Sequence, residues 1–133
     1  MVVDTSAIVA ILLEEPGAIR FGQALQLAAT RLMSAVTRVE LSLVLEGRKR
    51  EAGRIAIERL MAPIQFEIVA VTAEHAELAI EAFRRFGKGR HPAGLNFGDC
   101  FSYALARASG QPLLFAGRDF GRTDVQPAML GGQ

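Results

Sequence analysis

The stretch Met1-Val2-Val3-Asp4-Thr5-Ser6-Ala7-Ile8-Val9-Ala10-Ile11-Leu12-Leu13 opens the chain and decides its reading. A β-branched pair is the mark of a short buried strand. Ala7 to Leu13 is apolar and built of good helix formers. Between the two stand Asp4, Thr5 and Ser6, whose short polar side chains suit a helix cap. The opening is therefore a strand that passes directly into a helix.

The same alternation recurs downstream. After the interruption at Glu14-Glu15-Pro16-Gly17, helical spacing runs from Ala18 to Ala29, with Ile19, Phe21, Leu25 and Leu27 available for burial. Arg31 to Val36 reads as a second strand. Thr37 to Lys49 reads as a helix, apolar at Val39, Leu41, Leu43, Val44 and Leu45, and Glu51 to Met61 as another, stopped near Pro63. Phe66 to Val71 is a third strand. Thr72 caps a helix from Ala73 to about Phe86, with Ala76, Ile80, Phe83 and Phe86 on one face. Gly87 to Gly94 is a loop, and Asn96 caps a helix through Ala108 that Gly110 ends. Pro112 to Ala116 is a fourth strand, Asp119 to Asp124 a turn or short helix, and Val125 to Met129 a last short strand. Strands alternating with helices predict an α/β protein with three layers, a central and mostly parallel sheet of four to five strands covered on both faces. With no repeat and no linker, residues 1–133 are expected to form one domain.

Composition narrows the function. The chain has 133 residues, half of them hydrophobic and 22% charged, which suits one packed core and excludes disorder. The single Cys excludes both a disulfide framework and a thiolate zinc site. The apolar run at Ala7 is far shorter than the roughly 20 residues of a membrane span, and Asp4 precedes it where a signal peptide is basic. The expectation is a cytoplasmic protein without a membrane partner. A formal net charge of +1 gives no global field for nucleic acid. Of the 15 basic residues, 13 are Arg, which suits phosphate recognition but equally suits a GC-rich genome.

The four Asp residues are more informative. Ligands of open α/β sheets bind outside the carboxyl ends of the strands. Asp4 ends the first strand, Glu40 lies in the first turn of the helix after the second, and Asp119 follows the fourth. Asp99 joins them if its helix begins near the same edge. Converging carboxylates raise one another's pKa and are costly without a cation. With no Cys or His cluster, the fitting ions are hard and oxygen-seeking, Mg²⁺ or Mn²⁺. Such ions activate water and clamp phosphodiester oxygens. Thr5 and Ser6 are candidates to hold a water or orient Asp4. Each acid also has an ordinary reading: Asp4 as a cap, Asp99 as a partner of its helix dipole, Asp119 and Asp124 as turn formers. Glu40 is harder to explain away, because it sits in an apolar helix.

The opening motif, the Glu40 helix, the run Gly94-Leu95-Asn96-Phe97-Gly98-Asp99-Cys100-Phe101-Ser102-Tyr103-Ala104-Leu105-Ala106 and the segment Leu113-Leu114-Phe115-Ala116-Gly117-Arg118-Asp119-Phe120 closely resemble a PIN-domain ribonuclease. More narrowly they resemble a VapC toxin of a type II toxin–antitoxin pair, over essentially the whole chain. That resemblance implies a PIN-like fold and a metal-dependent endoribonuclease. It implies Asp4 and Asp99 as metal ligands, with Glu40 and Asp119 completing an acidic catalytic quartet. It also implies a VapB-type antitoxin and a homodimer.

Basic residues near these acids are candidates for the RNA phosphates: Arg118 and Arg122 first, then Arg90 and Lys88 with Arg84 and Arg85. Arg48, Lys49, Arg50 and Arg54 form another group. Either group is also readable as a solvated helix end. His75 and His91 read as structural or surface residues and Cys100 as core. Phe97, Phe101 and Tyr103 read as core aromatics, with Tyr103 able to expose its hydroxyl. Two other functions compete. One is a PIN-like module that binds RNA or protein without cleaving. The other is a phosphotransferase with Asp4 as nucleophile, which the Ser at position 6 disfavours.

Overall fold

The structure, a computed structural model, describes residues 1–129. Residues 130–133, the end of the expected single domain, lie outside the described residues. Four short parallel strands form one sheet in the order β3-β2-β1-β4: β1 (Val2–Val3), β2 (Leu32–Ser34), β3 (Glu67–Val69) and β4 (Leu113–Leu114). The helices are α1 (Thr5–Leu12), α2 (Ala18–Leu27), α3 (Ala35–Lys49), α4 (Glu51–Met61), α5 (Ala73–Phe86) and α6 (Phe97–Ser109), and a 3₁₀ turn spans Phe120–Arg122. Among the described residues no helix is long and apolar enough to cross a membrane.

Strand alternation builds the three layers. Successive side chains of a strand point to opposite faces. Val2 and Leu113 join one core with residues of α5 and α6, Tyr103 and Leu105 among them. Val3 and Leu114 join the other, with residues of α1 to α4 such as Ile8, Phe21, Leu41 and Ile57. Each fully buried aliphatic or aromatic side chain contributes about 1.5–3 kcal/mol. Strands of two or three residues suffice because the helices on both faces carry most of the burial.

The chain order makes a topological switch. From β1 it steps to β2 and β3 on one side, then crosses to β4 on the other side of β1. The crevice at the carboxyl ends of β1 and β4 is thus the favoured ligand position in a sheet of this kind.

The strands are shorter than expected, and three differences have a clear cause. The second strand ends at Ser34 rather than Val36, because the Ser34 hydroxyl accepts the Val36 amide at 3.2 Å and starts α3 two residues before Thr37. Helix α1 likewise begins at Thr5, with Asp4 as its N-cap. The expected last strand at Val125–Met129 reduces to one bridge between Leu113 and Pro127, framed by Leu113 N–H to Gln126 O and Ala128 N–H to Leu113 O. Pro127 has no N–H with which to extend the ladder.

Several apolar side chains expected in the core are outside it. Ile19 and Leu27 are exposed, as are Val39 and Leu43 on α3 and Phe97 at the start of α6, the last 75% exposed. Ile80 and Phe83 are also exposed. Periodicity identified the apolar faces, but among the described residues these side chains are left largely open to solvent. Tyr103 is fully buried, and its hydroxyl does not face solvent: it donates to Asp124 Oδ1 at 2.7 Å. Asp124 is accordingly not a simple turn former. It also accepts from Arg107 at 2.7 Å and pairs with Arg85 at 3.3 Å, tying the chain after the 3₁₀ turn to α5 and α6.

Candidate functional site

Asp4 leaves β1 at the switch point and is 2% exposed. Both of its oxygens are held. Oδ2 accepts the Ser6 amide at 3.0 Å, the N-cap bond of α1, and Oδ1 accepts the Ser102 hydroxyl at 2.6 Å. The buried Thr37 hydroxyl lies 3.1 Å from Ser102 Oγ. Ser102 spends its only proton on the carboxylate, so Thr37 must be the donor to Ser102. A relay of two hydroxyls thereby fixes Asp4 from behind. The N-cap bond and the Ser102 bond use different oxygens of the carboxylate.

Glu40 projects from the second turn of α3, since that helix starts early. It accepts the Thr5 hydroxyl at 2.5 Å through Oε1. Its carboxyl group lies directly against Gly98, where a methyl group would overlap it. Gly98 is therefore the one residue type that lets α6 approach the Glu40 carboxylate this closely.

Asp99 sits in the first turn of α6 and shares a capping box with Asn96. Asn96 Oδ1 accepts the Asp99 amide at 2.9 Å, and Asp99 Oδ2 accepts the Asn96 amide at 3.0 Å. The box orients the carboxylate and leaves Oδ1 out of these bonds. The helix does begin at the rim, as the clustering of the acids required.

Asp4, Thr5, Ser6, Glu40, Asn96 and Asp99 line one cleft of about 390 Å³, with Ala116 and Gly117 from the end of β4 on its other wall. The Ala116 amide donates to Ser6 Oγ at 2.9 Å, which fixes that wall to α1. Gly117 then turns the chain at φ +88°, a left-handed conformation that favours glycine. The two hydroxyls beside Asp4 thus have separate duties: Thr5 steadies Glu40, and Ser6 steadies the β4 exit. Asp119, exposed, stands outside the residues that line the cleft, yet its charge reaches Asp99.

Burial is the main reason that Asp99 is pushed up from 3.8 to about 7, with the charge of Asp4 next and those of Glu40 and Asp119 adding to it, against the lowering hydrogen bond from Asn96. Burial likewise raises Glu40, with Asp4 adding and Thr5 opposing. None of the ion pairs among the described residues involves these acids. An uncompensated, half-buried carboxylate group of this sort is suited to a cation. The donors are all oxygen, the kind that hard divalent cations prefer. Among the described residues no three acids close into a ready-made cage.

The basic candidates are more dispersed. Arg118 is exposed, directly after Gly117. Arg122 donates to Pro92 O at 3.0 Å, and the Arg90 guanidinium lies 4.8 Å from the Phe83 ring centre. Lys88 borders an apolar groove with Phe83 and Phe97 rather than the acidic cleft. His91 packs edge-on to Phe86 and accepts the Ala93 amide, and His75 is buried in α5. Both are structural. Ser102 and Thr37 are the site residues that sequence reasoning missed. Each lies three positions from a recognised acid, Asp99 or Glu40, and so on the same helix face.

Comparison with known proteins follows the same lines. The PIN domain family model matches residues 1–126. Ribonuclease VapC30 of Mycobacterium tuberculosis is 49% identical over 130 residues, covering 98% of this chain and 99% of that protein. Among solved structures, the Mycobacterium tuberculosis toxin VapC20, described as cleaving the sarcin–ricin loop, superposes with a TM-score of 0.70 at 21% identity, covering 95% of this chain and 98% of that one. VapBC2 from Rickettsia felis, bound to a DNA fragment from its promoter, gives a TM-score of 0.68 at 17% identity, covering 95% and 94%. These two likenesses show the fold.

Proposed function

The chain belongs to the PIN domain family and, within it, to the VapC ribonucleases, and from that membership we propose that its acidic cleft hydrolyses RNA phosphodiester bonds with the help of Mg²⁺ or Mn²⁺. The endoribonuclease is the toxin half of a toxin–antitoxin pair. The observation that carries the site assignment is the convergence of Asp4, Glu40 and Asp99, from three separate elements, on the switch-point cleft, with none of them in an ion pair among the described residues.

Asp4 and Asp99 are the residues that would hold the ion, with Glu40 completing the inner set and Asp119 acting from the rim. A bound Mg²⁺ or Mn²⁺ supplies positive charge against the phosphodiester and makes water a stronger acid. The chain's own part is to hold its oxygens still. Thr37 and Ser102 fix Asp4, Thr5 fixes Glu40, and Asn96 fixes Asp99. Carboxylates locked before substrate arrives need no reorganisation during reaction. Arg118, Arg122, Arg90 and Lys88 remain candidates for phosphates farther along the RNA.

A VapB-type antitoxin and a second copy of the chain are the proposed protein partners, with residues 1–133 acting as one PIN domain in the cytoplasm. The exposed apolar side chains Phe97, Val39 and Leu43, next to the cleft, support such contacts. The direct test is incubation of unfractionated cellular RNA with antitoxin-free protein in Mg²⁺, in Mn²⁺ and in EDTA. Discrete fragments that vanish in EDTA and return with metal are expected. Equal cleavage in EDTA would refute the metal-dependent reading, and intact RNA beside bound RNA would favour a non-cleaving module.

A further inference from the structure

One cation lines the acidic cleft, and it is none of those nearest to the acids in sequence. Arg48 lies in the last turn of α3 and borders the cleft with Glu40 and Val44. The three are spaced four residues apart and so share one helix face. Eight residues of helix separate the Cα atoms of Glu40 and Arg48 by about 12 Å. The Cα–Cβ bonds of a helix tilt toward its N-terminus, so the Arg48 side chain starts out along that face in the direction of the acids. Glu15, from the turn after α1, borders the same cleft, yet no ion pair joins it to Arg48 among the described residues.

A positive charge at a helix C-terminus has an ordinary use against the helix dipole. Lys49 already occupies that last turn, however, without lining the cleft. Only one of the two adjacent cations is thus placed beside the acids. A polyanion entering an acidic cleft is repelled by every carboxylate that a metal does not neutralise. A guanidinium on the cleft wall, with its fork free, offers the complementary contact, because its planar donors match two phosphate oxygens at once.

We propose that Arg48 binds a phosphate of the RNA strand adjacent to the one cleaved, and so sets the register of the strand in the cleft. The assignment rests on the acidic cleft being the ribonuclease site. Arg48 positions substrate and takes no part in bond breaking, so its loss weakens binding far more than turnover.

The test uses the full chain and a dye-labelled single-stranded RNA of mixed sequence. Binding is measured in an Asp4→Asn background, so that cleavage does not intervene, over a range of salt concentrations. Arg48→Gln is expected to bind about tenfold more weakly, as for one charge-assisted phosphate contact. Its log–log salt slope should be shallower by about 0.7, the value for one phosphate of a single strand. Arg48→Lys should restore the slope, since it keeps the charge. Lys49→Gln should leave the slope unchanged. With active protein and unfractionated cellular RNA, Arg48→Gln should cleave about tenfold slower at low RNA and converge on wild type at high RNA. An unchanged affinity and slope in Arg48→Gln, or an equal loss in Lys49→Gln, would overturn the proposal. Either result beside normal cleavage by wild type would leave the ribonuclease reading standing. Loss of cleavage in wild type itself would strike that reading, while the binding series would still decide the role of Arg48.

Discussion

Replacing Asp99 with Asn should make the metal-free protein more stable while abolishing its activity. The Asp99 carboxyl is pushed from 3.8 to about 7, chiefly by burial and next by Asp4. A group whose folded pKa is raised is held in its charged form at a cost, which is absent below the unfolded pKa and complete above the folded one. At 1.36 kcal/mol for each pKa unit, the full cost above pH 7 is about 4 kcal/mol. Water at the partly exposed carboxylate screens this to about 2–3 kcal/mol. Asn keeps an oxygen to accept the Asn96 amide, so the capping box survives. The loss of negative charge at the start of α6 subtracts about 0.5–1 kcal/mol. The net gain is about 1–2 kcal/mol at pH 8, or about 5 °C in Tm for a chain of this length. The assay is thermal melting in EDTA from pH 4 to pH 8. The stability difference should be near zero at pH 4 and grow as pH rises toward 8. A mutant that melts below wild type at pH 8, or a difference independent of pH, would refute the picture of a strained carboxylate group.

Other substitutions probe the supports of the site. Gly98→Ala should fold but cleave RNA at least tenfold more slowly, because the new methyl group displaces the Glu40 carboxylate from Thr5; unchanged rates would show that Glu40 has another productive position. Ser102→Ala removes the donor to Asp4 Oδ1 and leaves the Thr37 hydroxyl without its acceptor, so a loss of about 1–3 kcal/mol in denaturant melts is expected; a neutral result would place water in the relay. Tyr103→Phe should cost about 1 kcal/mol and leave cleavage intact, since Arg107 and Arg85 still hold Asp124; an equal loss of activity would tie that cluster to the site.

The residues that were legible in the sequence share a physical basis. Asp4 and Glu40 could be placed because strand ends and the starts of the helices that follow share a rim in a parallel sheet, whereas Asp99 needed the further assumption that its helix begins at that edge. Ser34 moved a boundary because a hydroxyl that accepts an amide outweighs the strand preference of Val36. Thr37 and Ser102 were invisible, since small hydroxyls acquire a role only when two helices bring them within 3.1 Å of each other. Phe97, Val39 and Leu43 show a different limit. Hydrophobic period marks which face is apolar, and says nothing of whether this chain or another covers it. Asp124 and Tyr103, 21 positions apart, met only through tertiary packing.

The central claim is that one acidic cleft both holds a divalent ion and cuts RNA. Its most direct test is titration of antitoxin-free protein with Mn²⁺, followed by electron paramagnetic resonance, in wild type, Asp4→Asn and Asp99→Asn, with RNA cleavage read from the same samples. The account predicts saturable binding in wild type, weakened at least tenfold in both variants, with cleavage lost in step with the bound metal. Metal binding that survives in both variants while cleavage disappears, or cleavage that survives without bound metal, would contradict it.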